Sequence, residues 1–458
     1  MTNQRTLLRY SALSLLVQAA CLCVLLSCAV QAQPAPQAAQ VQAPAPSAQP
    51  AAAPSLTIAQ AEQVGLRNNP RISVGRLLAL AQAQVTREVR SAELPTAVGS
   101  LTAVDAHDGS RITAGELNNP SIYNRAAGGM TVSQLITDFG RTRNLVRSAQ
   151  SSASAQSESE RATELDITLI VDQVFYQALT SQAVLKVAQQ TVAQRQDTVD
   201  QVGALTAQKL RSDLDLSFAN VQLSQAKLLL LDAENSAQDA MASLDAVLGS
   251  ETSQVYTLVD EASTNPEPGP QDAEAMVQMA FQQRPDLAAL NDAWKSAQQF
   301  SRAEHDLWMP TVSALAAAGA TPVRADQITS PWYAAAGANV NIPVFNGFLY
   351  SARAREASLR ASAAQQQIRD LRDTIARDVR ASVLQAQLAF QRIGVTQEML
   401  TQSNMAFDLA QARYRIGLSG IVELSQAQLA QTQAEIAYAS ARYAYQTAMA
   451  EVRFQTGQ

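Results

Sequence analysis

The side chains that carry most protein chemistry are scarce in this 458-residue chain. Its two histidines, His107 and His305, stand far apart, and its three cysteines, Cys21, Cys23 and Cys28, all lie near the start. A zinc site gathers three or four N, S or O ligands in one cluster, and no stretch offers them. Gly-rich phosphate loops, nucleophile elbows and ordered triads are missing too. No cofactor, metal or catalytic role is therefore expected. What remains are acids at two places. Asp213 and Asp215 follow Lys209-Leu210-Arg211-Ser212, and Glu423 follows Tyr414 to Leu418 and the Ser419-Gly420 pair. Two carboxylates flanking a pocket can cleave a glycosidic bond. At a helix start they merely cap N–H groups. Converging on a symmetry axis, they would attract cations and repel one another. The elements that carry them decide among these.

Composition points to helices. Only 16% of residues are charged and 5% aromatic, whereas 84 are alanine, a mixture that favours long, closely packed helices. The net charge of −6 is scattered, so no basic stripe could track a nucleic-acid backbone. Proline is absent between Ser121 and Asn265 and again after Pro343, and interior proline is what helices exclude. Ile368, Leu371, Ile375, Val379, Val383, Ala386, Phe390 and Ile393 recur at steps of three and four, a helical period. Gly347 to Arg415 would span roughly 100 Å as one helix, too long for a compact domain.

Between the helical parts lie segments of period two. Trp332 to Ile342 sets Trp, Ala, Ala, Ala, Val and Ile against Tyr, Ala, Gly, Asn and Asn. Thr311 to Val323, Thr96 to Asp105 and Tyr123 to Ile136 are likewise weakly alternating and rich in small residues. Transmembrane β-strands have this character, with aromatics at the rims, and Tyr123, Trp308, Trp332 and Tyr333 sit near strand ends. The alternative is a set of ordinary surface hairpins. The mature chain lacks the eighteen or so consecutive apolar residues of a membrane helix.

The N-terminus reads as a signal peptide over residues 1–32: Arg5 and Arg9, an apolar run, then Val30-Gln31-Ala32 as a cleavage site. A second reading takes Leu25-Leu26-Ser27-Cys28 as a lipobox with acylation of Cys28. Residues 33–55, rich in Ala, Pro and Gln, should form an extended tether. Beyond them the chain is duplicated. Asn69-Pro70-Arg71-Ile72 answers Arg284-Pro285-Asp286-Leu287, and Leu94-Pro95 answers Met309-Pro310. Asp138 answers Asn346, and Leu210 to Leu216 answers Leu418 to Leu424. The first repeat covers 56–264 with a hairpin near 96–136, and the second 265–458 with a hairpin near 311–345. Four membrane strands cannot close a barrel, and an open edge in lipid leaves backbone groups unpaired, so the chain must oligomerise.

These spaced features, in order and in duplicate, resemble the TolC-like outer-membrane efflux proteins. The resemblance runs from Leu56-Thr57 and Asn68-Asn69-Pro70 through Ile342-Pro343-Val344-Phe345-Asn346-Gly347 to Ala412-Arg413-Tyr414-Arg415-Ile416-Gly417-Leu418. It implies an α+β membrane protein: a homotrimer whose chains each give four strands to one shared transmembrane β-barrel in outer-membrane lipid, above a long α-helical barrel in the periplasm. It further implies a passive exit duct for efflux or type I secretion, docked on a periplasmic adaptor and an inner-membrane transporter. By the same resemblance Asp215, Tyr414 and Glu423 take the periplasmic gate positions, and Lys209, Leu210, Ile416, Gly417 and Leu418 the adaptor-docking turns. The sequence departs from the family pattern at Gln426, where a second lumen acid is expected, and at Ser419, where an arginine is expected. The competing function is a periplasmic trimeric coiled-coil scaffold or adaptor that never enters the membrane.

Overall fold

The computed structural model describes residues 54–105, 107, 125–250, 256–261, 266–323 and 330–458. The signal peptide, Cys28, the tether up to residue 53 and Tyr123 lie outside the described residues. Helix α1 (Ile58–Asn68) opens on a capping box, in which Thr57 and Gln60 satisfy each other's backbone N–H groups. Asn69 then breaks the helix and caps α2 (Pro70–Ser91), whose first residue is the proline that helix starts tolerate. The same break recurs at Arg284, between α5 (Ala273–Gln283) and α6 (Pro285–His305). Strand β1 (Ser55–Leu56) pairs in parallel with β4 (Thr257–Leu258) beside these short helices.

Two helices of 67 residues dominate the molecule: α3 (Arg141–Ala207) and α7 (Leu349–Arg415). Each rises about 100 Å, then turns back into a shorter helix, α4 (Asp213–Val247) or α8 (Ile421–Thr456). The buried positions explain both the pairing and the alanine content. On α4, Ala219, Ala226, Ala233 and Ala240 recur every seven residues, and Leu223, Ala237 and Leu244 lie four residues after the first, third and fourth of them. On α7, Ile375, Ser382, Ala389, Ser403 and Ala410 alternate with Val379, Ala386, Ile393, Phe407 and Tyr414 in the same heptad. A strict 3.5-residue period is the coiled-coil seam, tighter than the average helical period of the hydrophobic residues alone. Alanine at the seam lets backbones approach closely. Larger side chains cluster where short helices lean on long ones. Phe175, Ile167, Val171 and Leu244 make one such core, and Val277, Leu287, Val379 and Val383 another.

At one end of the helices stands a four-stranded antiparallel sheet in the order β2-β3-β5-β6. It comprises β2 (Thr96–Val104), β3 (Arg125–Thr137), β5 (Thr311–Val323) and β6 (Trp332–Asn341). Its two middle strands come from opposite halves of the sequence, and among the described residues β2 and β6 are left as unpaired edges.

Candidate functional site: the helix turns and the amphipathic sheet

At the other end, both long helices close with one and the same hydrogen-bond pattern. After α3, Lys209 N–H donates to the Thr206 carbonyl and Leu210 N–H to the Leu205 carbonyl, both at 2.9 Å. After α7, Gly417 N–H donates to Tyr414 at 3.1 Å and Leu418 N–H to Arg413 at 2.9 Å. These are Schellman closures, which need a left-handed residue at the first of each pair. Gly417 has φ +79° and Lys209 +61°; glycine adopts this freely, whereas lysine is strained. The closures turn Leu210, Ile416 and Leu418 outward, each about two-thirds exposed. The two turns thus form blunt apolar tips.

Behind the tips the two hairpins touch. Tyr414 is buried with Val202, Leu216, Phe407 and Ile421. Arg211, from the first turn, covers its ring and bonds its backbone carbonyl. Burial pushes the Tyr414 phenol above its ordinary value; Arg211 pulls it back and Asp215 adds to the rise. The Tyr414 hydroxyl has no hydrogen-bond partner among the described residues. Asp215 spends its carboxylate on the Ser212 N–H, as one half of the capping box that starts α4. Asp215 and Tyr414 are therefore neighbours without a bond between them in this chain. Glu423 lies elsewhere: it pairs with Arg413 across its own hairpin at 3.5 Å, both side chains about half exposed. Ser419 is buried with an unpartnered hydroxyl, and α8 starts at Gly420 without a side-chain cap. Above the turns a polar layer crosses the seam between α3 and α8. Arg195 bonds Gln428, Gln428 bonds Thr198, and Gln194 bonds Gln431.

Sequence reasoning passed over Arg211 and the polar layer. Both depend on contacts across more than 200 residues. The one hint was the missing arginine at 419.

The sheet has its own chemistry, and pairing register makes it visible. On β6, Trp332, Ala334, Ala336, Ala338 and Val340 share one face, and Tyr333, Ala335, Gly337, Asn339 and Asn341 the other. Across β5 the first face continues as Ala320, Ala318, Ala316, Ala314 and Val312, and the second as Gly319, Ala317, Leu315, Ser313 and Thr311. On β3 and β2 the first face carries Met130, Val132, Gly99 and Leu101, and the second Thr131, Ser133, Thr96 and Ser100. The apolar face of the lone chain is open, with Leu101 92% exposed. Across the polar face, Tyr333 lies on a platform of two glycines. A Cβ at Gly129 would meet its hydroxyl at 2.2 Å, and one at Gly319 at 2.5 Å. A 13-residue strand such as β5 rises about 44 Å and, tilted by about 45°, crosses the roughly 30 Å hydrocarbon layer. No described helix is long and apolar enough to cross a membrane. Among the described residues no cluster of three potential metal ligands occurs.

A sheet with one exposed apolar face, carried on coiled-coil helices about 100 Å long, is an architecture that fits a membrane channel. The chain belongs to the outer membrane efflux protein family, whose model matches residues 63–250 and 276–458. It is thus an outer-membrane transport protein that extends into the periplasm. Solved structures share the fold at low identity. CusC superposes with a TM-score of 0.77 at 17% identity, covering 87% of this chain and 92% of its own. A membrane protein from Pseudomonas aeruginosa gives 0.76 at 18%, covering 87% and 93%. The open-state MtrE channel of Neisseria gonorrhoeae gives 0.74 at 18%, covering 87% and 88%. Comparison with curated proteins returns no match.

Proposed function

We propose that three copies of this chain close one β-barrel and one helical cylinder, forming a passive exit duct for efflux or secretion. The observation that carries this reading is the sheet: four strands, one apolar face and two unpaired edges. In lipid those edges must find partners, and head-to-tail copies satisfy them in a closed ring. The paired α1–α2 and α5–α6 breaks, the two 67-residue helices and the matching Schellman turns support an internal duplication at the boundaries 56–264 and 265–458. The apolar tips at Lys209-Leu210 and Ile416-Gly417-Leu418 suit docking to a periplasmic adaptor, which would link the duct to an inner-membrane transporter. Asp215, Tyr414 and Glu423 sit at or just behind those tips, where a constriction would form, and Arg211 joins them as the cation nearest Tyr414.

The test is assembly and conductance. Detergent-solubilised protein from the outer-membrane fraction should run as a trimer by light scattering and conduct ions in planar bilayers. A monodisperse monomer would sink the duct. Recovery wholly in the soluble periplasmic fraction would favour the scaffold that never inserts.

A further inference from the structure

The corners where the sheet hands over to the long helices are built in an unexpected way. Each needs two consecutive left-handed residues. At the first they are Phe139 (φ +57°) and Gly140 (+110°); at the second, Gly347 (+61°) and Phe348 (+67°). Glycine would serve at all four positions, yet each corner holds a phenylalanine in the conformation that bulky side chains most disfavour. Neither ring is buried: Phe139 is 58% exposed and Phe348 73%. Phe348 packs edge-on against Phe345, itself three-quarters exposed. All three rings follow closely on the ends of the strands, Phe139 just after β3 and Phe345 and Phe348 just after β6 and the exposed Ile342.

One step further from the sheet the surface changes from aromatic to basic. The opening turns of α3 carry Arg143 and Arg147, and those of α7 carry Arg353 and Arg355, all exposed. None has a carboxylate within ion-pair distance among the described residues, and neither helix has an acid in its first turn. Arginine at the positive end of a helix gains nothing from the helix itself. The order along the molecule is therefore apolar sheet, exposed phenylalanine, unpaired arginine. That is the order of hydrocarbon, interface and phosphate met on leaving a bilayer.

We propose that the two corners are a lipid-binding surface. In it, Phe139, Phe345 and Phe348 enter the interfacial zone of the periplasmic leaflet, while the four arginines bind anionic phospholipid headgroups. The surface goes beyond the duct reading, because it assigns a lipid class to one end of the barrel. It would hold for any insertion of the sheet.

The full-length protein is added from detergent to vesicles of phosphatidylcholine alone or mixed with phosphatidylglycerol. The inserted fraction is read by flotation, and trimer assembly is scored separately by light scattering. The parent should favour anionic vesicles, and salt should weaken the preference. Changing Arg143, Arg147, Arg353 and Arg355 to Gln should remove it, at about fivefold per arginine at low salt. Phe139→Gly and Phe348→Gly should keep or improve helix content and thermal stability while inserting less. A merely structural role would instead lower both. Phe348→Trp should insert like the parent and show blue-shifted emission in vesicles, after subtraction of the parent signal. Equal insertion into both lipids by the parent, undiminished insertion by the glycine variants, or water-like emission from the new tryptophan would each overturn the proposal.

Discussion

The guanidinium of Arg211 lies 4.4 Å from the centre of the Tyr414 ring and donates to the Tyr414 carbonyl at 3.1 Å. One side chain from the first hairpin thereby grips the last turn of α7 in the second. A stacked, partly buried guanidinium with one added hydrogen bond contributes about 1–2 kcal/mol. Arg211→Ala should therefore raise the open fraction of the reconstituted channel about tenfold, read by single-channel recording. Arg211→Lys should restore little, because an ammonium has no planar fork to stack and bond at once. An unchanged open fraction in Arg211→Ala would remove Arg211 from the gate.

Tyr414 and Asp215 can be separated by the same logic. The Tyr414 hydroxyl is buried without a partner among the described residues, so Tyr414→Phe should change thermal stability by less than about 0.5 kcal/mol. Asp215→Ala breaks half of a capping box and should cost about 0.5–1 kcal/mol. If Tyr414→Phe nevertheless alters gating, the bond it removes lies between chains of the assembled channel.

Glu423 offers a test of charge without stability. Its pairing with Arg413 is exposed on both sides, and such pairs contribute little. Glu423→Gln should leave the melting temperature unchanged and, if three copies ring a lumen, weaken cation preference and block by multivalent cations. Unaltered reversal potentials in a salt gradient would show that Glu423 is an ordinary first-turn acid.

Asp172 sets a pH dependence in the helical body. It is buried on α3 beside Glu62 of α1, and Arg453 of α8 donates to it at 3.0 Å. Burial, with Glu62 beside it, pushes its carboxyl up to about 7 against the pull of Arg453. The unfolded chain releases that proton near pH ~4, so the folded chain holds an extra proton between these values. This contribution is fully present below about pH 4 and is lost as pH rises through about 7. Melting temperature should fall from pH 5 to pH 8, and Asp172→Asn should flatten the fall and exceed the parent at pH 8. A parallel fall in both proteins would place the titration elsewhere.

Two glycines under one tyrosine give opposite rescue outcomes. Gly129→Ala collides mainly with the Tyr333 hydroxyl, so adding Tyr333→Ala should restore insertion. Gly319→Ala also lies 2.6 Å from the Gly128 carbonyl, which no side-chain change can move, so the same second substitution should fail. Rescue of both would mean that the sheet shifts freely at Gly128.

The elements that could be read from the sequence are those with long, regular patterns. The stretch Gly347 to Arg415 is one unbroken helix from Leu349, and the alternating run Thr311 to Val323 is strand β5. What stayed hidden arises from pairing. The two faces of the sheet can be assigned across all four strands only when β3 is set against β5, which joins residues nearly 200 apart in sequence. Arg211 looked like any charged residue after a turn. The triad of Glu62, Asp172 and Arg453 comes from three distant helices with no shared motif. Lys209 gave no sign of its left-handed backbone, because nothing in its residue type asks for one.

The equal lengths of α3 and α7, 67 residues each, set a rule for changing this molecule's reach. Both run from the sheet to the tips, so each measures the same gap. Removing one heptad shortens a helix by about 10 Å and returns its seam to the same face. Done in α3 alone, it would leave one tip a full step short of the other. Done in both, with α4 and α8 trimmed to match, it should yield a shorter duct with its ends intact. The reach of this molecule from sheet to tips is thus written in the chain as a number of heptads, and it can be edited only in matched units.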